Sequence, residues 1–196
     1  MKVENKADFF KWWENLFPLC KIEEVSNEII VKEFEKSGEG EINLKFKNRF
    51  SDKKFLVNLK MDSNFNLKCI SKTKNCDGVI LLVDLEDKII KVFLIELKKT
   101  LTDKIEDSNL QIQYAYMFVN SLLFVECGFK MEYIVILGYS NLNKQNLLNN
   151  DLKNKFIQSL YFSIIKENNY PIKHPFCEFK TFDLKLVKFY ETLEIE

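Results

Sequence analysis

Arginine and histidine are almost absent from this chain of 196 residues, because Arg49 is the only arginine and His174 the only histidine. A lone histidine has no partner spacing for a zinc site or a hydrolytic triad, and we expect it in a loop. The 29 basic residues are balanced by 29 acidic residues. A net charge of zero argues against a strongly basic nucleic-acid-binding domain, although a local groove of lysines remains compatible with a neutral protein.

Glycine, proline and paired cysteines are also scarce. With five glycines and three prolines, no Gly-rich or Pro-rich linker divides the chain, and its length predicts a single domain over residues 1–196. The five cysteines stand singly, which excludes an obvious disulfide framework or zinc site. No run approaches the roughly 18 apolar residues that span a bilayer, and no secretory signal is evident. We therefore expect a soluble cytoplasmic protein with no membrane partner.

The hydrophobic pattern predicts an α/β (α+β) protein in which helices pack on a sheet. Apolar residues at helical spacing predict a first helix over residues 6–17, in which Trp12 and Trp13 pack in the core or a homodimer contact rather than stacking on bases. Alternation with a period of two predicts an antiparallel meander over residues 28–71. The remaining predicted elements are a helix over 109–124, a strand over 131–139, a helix around 150–166 and an extended segment around 176–189.

The stretch NCDGVILLVDLEDKIIKVFLIELKKT, residues 75–100, contains two apolar runs around the polar corner DLEDK. Both runs are apolar at nearly every position, which is typical of central strands covered on both faces. If the runs form a hairpin centred on Glu86 and Asp87, then Val79 lies opposite Leu94. The same register continues outward to the charged ends of both strands.

In that register Asp77 lies opposite Glu96, and directly opposed residues share one face of a sheet. Lys98 is on the same face because side chains alternate along a strand, whereas Lys99 points to the other face and is expected in solvent. The hairpin therefore predicts two carboxylates and one ammonium at one end of the sheet. A slip of one residue would send Asp77 and Glu96 to opposite faces.

Two adjacent carboxylates repel each other unless they share a proton or bind a cation. A hard divalent ion such as Mg²⁺ takes carboxylate, carbonyl and water oxygens. The predicted metal ligands are therefore Asp77, Glu96 and the main-chain carbonyl of Leu97, with Lys98 beside them to orient or activate a water molecule. This arrangement suits hydrolysis of a phosphodiester.

Asp77 followed by Glu96-Leu97-Lys98 on the next apolar strand resembles the PD-(D/E)xK nuclease superfamily, which includes restriction endonucleases, RecB-type exonucleases and Holliday-junction resolvases. The resemblance covers about residues 75–118. It implies a restriction-endonuclease-like mixed β-sheet core flanked by helices. It also implies that Asp77, Glu96 and Lys98 are catalytic and that the cofactor is Mg²⁺ or Mn²⁺.

The segment QIQYAY, residues 111–116, is similar to the Gln-plus-Tyr helix of the RecB and Cas4 branch, where the glutamine helps to position the site. Gln111 and Gln113 are both candidates for this substrate-positioning role. Cys76 stands where the family often has proline. The single cysteines do not match the iron–sulfur site of Cas4-like proteins, so no cluster is expected. A third acid on the first helix, for which Glu14 is available, stays unassigned.

The sequence therefore predicts a metal-dependent nuclease that acts in prokaryotic defence, restriction or repair. We expect its substrate to be DNA rather than RNA. One alternative is a non-catalytic nuclease-fold module for binding or assembly, and another is an unrelated α/β interaction protein whose Asp77 and Glu96 lie far apart. A homodimer is left open. The lysines predicted to line a phosphate groove are Lys68, Lys72, Lys74, Lys98, Lys99 and Lys104.

Overall fold

The computed structural model describes residues 3–18, 20–33, 40–60, 76–123, 128–143, 155–174 and 177–196. Within these ranges three helices and ten strands are present. The helices are α1 (Lys6–Leu16), α2 (Leu101–Leu123) and α3 (Lys155–Lys166). The strands are β1 (Ile22–Val25), β2 (Glu28–Lys32), β3 (Glu41–Phe46), β4 (Lys54–Leu59), β5 (Gly78–Asp84), β6 (Ile89–Thr100), β7 (Lys130–Asn141), β8 (Tyr170–His174), β9 (Cys177–Lys188) and β10 (Thr192–Ile195).

A mixed sheet of seven strands has the order β1-β4-β5-β6-β7-β9-β8. In the part β1-β4-β5-β6, neighbouring strands pair antiparallel. Strands β6, β7 and β9 run parallel to one another, and β8 returns antiparallel along β9. The parallel step from β6 to β7 requires a crossover, which α2 supplies. The two apolar runs of residues 75–100 form β5 and β6 in the interior of this sheet, as their composition predicts.

The two faces of the large sheet are covered by different layers. On one face, alternate residues of β5 and β6 such as Leu81 and Val92 belong to a core that includes buried residues of all three helices. On the other face, Ile80 and Phe93 belong to a second core shared with the three-stranded sheet β10-β3-β2. The protein is therefore an α/β structure of helices, large sheet and small sheet, and parity along β6 decides which layer each side chain meets.

Local signals account for α1 as predicted. The side chain of Asn5 accepts a hydrogen bond from the N–H of Asp8 at 2.9 Å, which is a favourable N-cap, and Pro18 follows the last turn. Trp13 is fully buried, and its indole N–H donates to the carbonyl of Cys20 at 2.7 Å. Trp13 is thus a core residue, as expected, and Trp12 beside it is half-buried.

Helix α2 begins at Leu101, eight residues before its predicted start. The first turns carry the polar run TDKIEDSN, which hides the helical period, yet Leu101 and Ile105 are buried against the sheet. The side chain of Ser108 bonds back to the carbonyl of Lys104 at 2.9 Å. Tertiary packing of a few apolar residues therefore extends the helix beyond the segment with visible periodicity.

Residues 155–166 of the predicted helix around 150–166 are helical, and its first residues lie outside the described ranges.

The β5–β6 hairpin has the predicted register, with Val79 opposite Leu94. Its turn spans four residues between Asp84 and Ile89 rather than the two at its centre. A carboxylate oxygen of Asp84 accepts the N–H groups of residues 86 and 87, both at 3.1 Å, and Lys88 adopts a left-handed φ of 51°. An Asx-type turn thus replaces the glycine-containing turn of a tight hairpin.

The meander predicted over residues 28–71 is wrong as a single unit. Strands β2 and β3 pair antiparallel in the small sheet, but β4 leaves them and pairs with β1 and β5 in the large sheet. The reason is that β4 buries Leu56 on one face and Val57 on the other, so both faces need a covering layer. Residues 61–75 lie outside the described ranges.

The C-terminal region contains more strands than predicted. The extended segment expected around 176–189 is β9, but β8 and β10 flank it, and His174 is the last residue of β8 rather than part of a loop. The backbone of β8 is extended through Pro171, which the sheet accommodates because β8 is an edge strand. In the described ranges, no helix combines the length and the apolar character needed to cross a membrane.

Candidate metal and catalytic site

The outer end of the β5–β6 hairpin brings Asp77 to the backbone of β6. The ladder is described as far as the pair Gly78 and Ile95, so Asp77 follows at the position opposite Glu96. A carboxylate oxygen of Asp77 accepts a hydrogen bond from the N–H of Leu97 at 2.7 Å. The predicted meeting of Asp77 with the Glu96-Leu97-Lys98 segment is therefore present.

The same hydrogen bond orients the carbonyl of Leu97. In an extended strand, the N–H and the carbonyl of one residue point toward the same neighbouring strand. Since the N–H of Leu97 points toward Asp77, its carbonyl also faces the β5 side. Asp77 and the predicted main-chain ligand of Leu97 thus share one side of β6.

Lys98 and Glu96 form a buried ion pair on the helix-covered face. The Lys98 ammonium lies 2.7 Å from a carboxylate oxygen of Glu96. Glu96 is 0% exposed, Lys98 is 3% exposed and Asp77 is 9% exposed. Lys99, one residue along, is exposed, as its opposite parity predicts. The structure therefore gathers Asp77, Glu96 and Lys98 in a nearly dry environment.

Cys76 reports the electrostatic character of this environment. Burial raises the pKa of its thiol, and the negative charges of Glu96 and Asp77 raise that pKa further. The thiol Sγ donates to the carbonyl of Gly78 at 3.3 Å. Both carboxylates thus act on one thiol, which places the two acids within electrostatic range of the same atom. Cys76 itself is a small buried residue of the core.

Tyr170 belongs to the surroundings of Glu96 but carries no signal in the sequence. It is fully buried at the start of β8, and its hydroxyl makes no hydrogen bond to any described residue. Burial raises the pKa of this phenol well above its usual range, and the charge of Glu96 adds to the increase. More than seventy positions separate the two residues in the chain, and β7 and β9 lie between their strands, so no local pattern in the sequence links Tyr170 to Glu96.

The two candidate glutamines differ in burial. Gln111 is 6% exposed, whereas Gln113 is half-buried. Gln111 lies roughly 15 Å along α2 from its first residue, at about 1.5 Å per residue, and Glu96 lies roughly 13 Å back along β6 from Thr100. Because α2 directly follows Thr100 and packs on β6, these lengths predict that Gln111 lies near the height of Glu96 over the sheet. The geometry favours Gln111 as the residue that supports the site.

The donor set available to a divalent ion consists of two carboxylates and one main-chain carbonyl. Among the described residues, no group of three or more His, Cys, Asp and Glu side chains is arranged to hold a metal, and Glu14 is exposed. Two carboxylates and one carbonyl fit Mg²⁺ or Mn²⁺ only if water or substrate phosphate oxygens complete the coordination, which is the usual way that proteins bind Mg²⁺. Asp77, Glu96 and the carbonyl of Leu97 would hold the ion.

The predicted lysine groove is only partly described. Lys68, Lys72 and Lys74 lie outside the described ranges. Lys98 is buried, while Lys99 and Lys104 are exposed. Lys99 also faces away from the ion pair, on the side of the sheet where Leu97 packs. The groove therefore stays a prediction.

Comparison of the chain with family models, with curated proteins and with solved structures finds no match. The interpretation of this site consequently rests on its own residues and their geometry.

Proposed function

We propose that this protein is a metal-dependent nuclease that hydrolyses nucleic-acid phosphodiester bonds. The observation that carries the proposal is the convergence of Asp77 with Glu96-Leu97-Lys98 at one end of an otherwise apolar hairpin. Burying three ionisable groups in a sheet interior costs free energy, and such buried groups are often found at functional sites. The mixed sheet with helices on one face is compatible with a restriction-endonuclease-like core, which we include in the proposal.

Each residue has a defined part in the proposed reaction. Asp77 and Glu96 supply carboxylate oxygens to Mg²⁺ or Mn²⁺, and the backbone N–H of Leu97 holds Asp77 in place. Lys98 orients the attacking water and offsets negative charge that develops on the phosphate. Gln111 supports the geometry from α2. The bound ion would supply Lewis-acid stabilisation of that charge.

Burial sets a condition on this proposal. Glu96 and Lys98 are almost completely enclosed, so a phosphodiester reaches them only when the structure around the site opens. The substrate that we propose is DNA, and the setting is cytoplasmic defence, restriction or repair, with a homodimer as an open arrangement. These finer parts rest on the resemblance of the Asp77 and Glu96-Leu97-Lys98 pattern to the PD-(D/E)xK superfamily.

The same burial favours a second candidate function. The Glu96–Lys98 contact has the features of a structural ion pair, since both side chains are enclosed and lie 2.7 Å apart. A non-catalytic module with this fold would contain such a pair as part of its core, without a role in cleavage. Its role would be to bind nucleic acid or to assemble with another protein, without cleavage.

A cleavage panel tests the proposal. Supercoiled DNA, linear duplex DNA, single-stranded DNA and RNA are incubated with the wild-type protein and Mg²⁺, Mn²⁺ or EDTA. We expect cleavage with the metals only, and a loss of at least about 100-fold in Lys98→Ala, which is the usual scale for a positioned proton-transfer group. Lys130→Ala is the control, because this lysine is exposed at the start of β7, beside Ile89 at the opposite end of β6 from the site, and it should cleave like the wild type.

Folding of each variant is checked by circular dichroism and urea unfolding. Asp77→Asn provides a second test, since asparagine still offers an oxygen to the N–H of Leu97 but lacks the charge. Equal cleavage by wild type and a folded Lys98→Ala would contradict the proposed catalytic role. The absence of cleavage by the wild type on every substrate would favour the binding module.

A further inference from the structure

We propose that Gly138 on β7 is a positioning residue for the candidate site, because it leaves the room that Leu97 needs to present its backbone to Asp77. This inference rests on the proposed function and deepens it. Leu97 contributes to the site through its main chain only, with its N–H 2.7 Å from a carboxylate oxygen of Asp77. Its side chain points to the face of the large sheet that the small sheet covers, away from the Glu96–Lys98 pair, and it is fully buried there.

Gly138 is the residue of β7 that pairs with Leu97, and it pairs with Val187 of β9 on its other side. The backbone of Gly138 does not have a left-handed φ, so its conformation alone does not require glycine. Space does. A Cβ atom built at this position would overlap the Cδ2 methyl of Leu97 and would lie 3.1 Å from Cγ2 of Ile42.

The small sheet and the C-terminal part of the chain also border the space next to Gly138. Ile42 belongs to β3, and Phe189, which follows β9, would lie 3.5 Å from the added atom. Leu97 is fully buried in the same core as Ile42 and Phe189. Because a close-packed core leaves its side chain little freedom to turn away, we expect a new methyl group to displace the residue as a whole. Displacement of Leu97 moves its N–H away from Asp77 and moves its carbonyl with it.

The expected result is a defect in the site that a second substitution repairs. Gly138→Ala should weaken Mn²⁺ binding at least 10-fold, measured by calorimetry on the full chain, and should lower cleavage in parallel. Leu97→Val removes the methyl group that meets the new Cβ and keeps the backbone. The double variant Gly138→Ala/Leu97→Val should therefore bind Mn²⁺ within threefold of Leu97→Val alone.

Ile136→Val is a matched control for general destabilisation. Ile136 lies two residues before Gly138, on the same strand and in the same core, but it pairs with Ile95 rather than with Leu97. This variant should lose some stability toward urea and yet bind Mn²⁺ like the wild type. A reduction of Mn²⁺ affinity in Ile136→Val equal to that in Gly138→Ala would overturn the inference, because the effect would then follow stability.

A readout without metal separates this inference from the proposed function. Amide hydrogen exchange of Leu97 in the metal-free protein should be at least 10-fold faster in Gly138→Ala and should slow again in the double variant. If the wild type neither binds Mn²⁺ nor cleaves any substrate, the proposed function fails, and the exchange result still decides whether Gly138 positions Leu97. Unchanged exchange in Gly138→Ala, or no repair by Leu97→Val, would refute the positioning role.

Discussion

The ammonium of Lys98 lies 2.7 Å from a carboxylate oxygen of Glu96, and the two side chains are 3% and 0% exposed. Removing two charges from water is costly, and their attraction offsets that cost only in good geometry. Asp77 adds a second carboxylate at the same end of the hairpin. Mutation of this buried pair should therefore change the free energy of unfolding by a measurable amount.

Breaking the ion pair from one side should cost more than removing both charges. Lys98→Met keeps the length of the side chain but leaves the Glu96 carboxylate buried without its cation, so we expect a loss of about 3–5 kcal/mol in the free energy of unfolding. The double variant Glu96→Gln/Lys98→Met should recover most of this loss. Urea unfolding at neutral pH measures all members of the cycle, and strictly additive single effects would show that the two side chains are not coupled.

Divalent ions should stabilise the folded protein through Asp77. A ligand that binds only the folded state at 100 times its dissociation constant raises the free energy of unfolding by about 2.7 kcal/mol. We expect an increase of this order with saturating Mn²⁺, reversal by EDTA, and almost no increase in Asp77→Asn. Thermal unfolding monitored by circular dichroism provides the measurement. An equal increase in both proteins would place the ion elsewhere.

Substitution of the two glutamines of α2 should have different effects on Mn²⁺ affinity. Gln111 is buried on α2, whereas Gln113 is half-buried. Residues that orient metal ligands typically account for about 10-fold to 100-fold in metal affinity or activity. Gln111→Ala should therefore reduce Mn²⁺ affinity by that factor, and Gln113→Ala should change it less than twofold. The opposite ranking would transfer the supporting role to Gln113.

Replacing Tyr170 by phenylalanine should stabilise the protein. The Tyr170 hydroxyl is buried without a hydrogen bond to any described residue, and such a group costs about 1–3 kcal/mol in desolvation. We expect Tyr170→Phe to raise the free energy of unfolding by about 1 kcal/mol in urea titrations. Tyr190→Phe is the control, because Tyr190 is 70% exposed and its change should be small. Destabilisation of Tyr170→Phe would reveal a partner for the hydroxyl.

Alkaline pH should destabilise the fold through Cys20. Burial raises the pKa of this thiol to about 11, from 9.0 in an unperturbed thiol. Between these values the unfolded thiol has lost its proton while the folded thiol retains it, so the free energy of unfolding falls as pH rises. Cys20→Ser lacks this titration and should lose less stability from pH 9 to pH 11. Below pH 9 the two curves should run parallel, and parallel curves over the whole range would contradict the prediction.

The hairpin shows how far the sequence alone determines this protein. The polar corner between its apolar runs specifies the register that places Asp77 opposite Glu96, because the turn type and loop length fix the register of a hairpin. The alternation along β6 likewise separates Lys98 from Lys99. Helix α1 is equally evident from its apolar period. These features depend on contacts between residues close in the chain.

Other features depend on residues distant in the chain, and only the tertiary structure decides them. The separation of β4 from β3, the position of Tyr170 near Glu96 and the close approach of Gly138 to Leu97 all follow from the order of strands across two sheets. Local patterns do not encode that order, since a strand with two apolar faces satisfies several neighbours equally well. The sequence thus determines which groups meet at the candidate site, whereas the packing of the layers determines how closely they are enclosed.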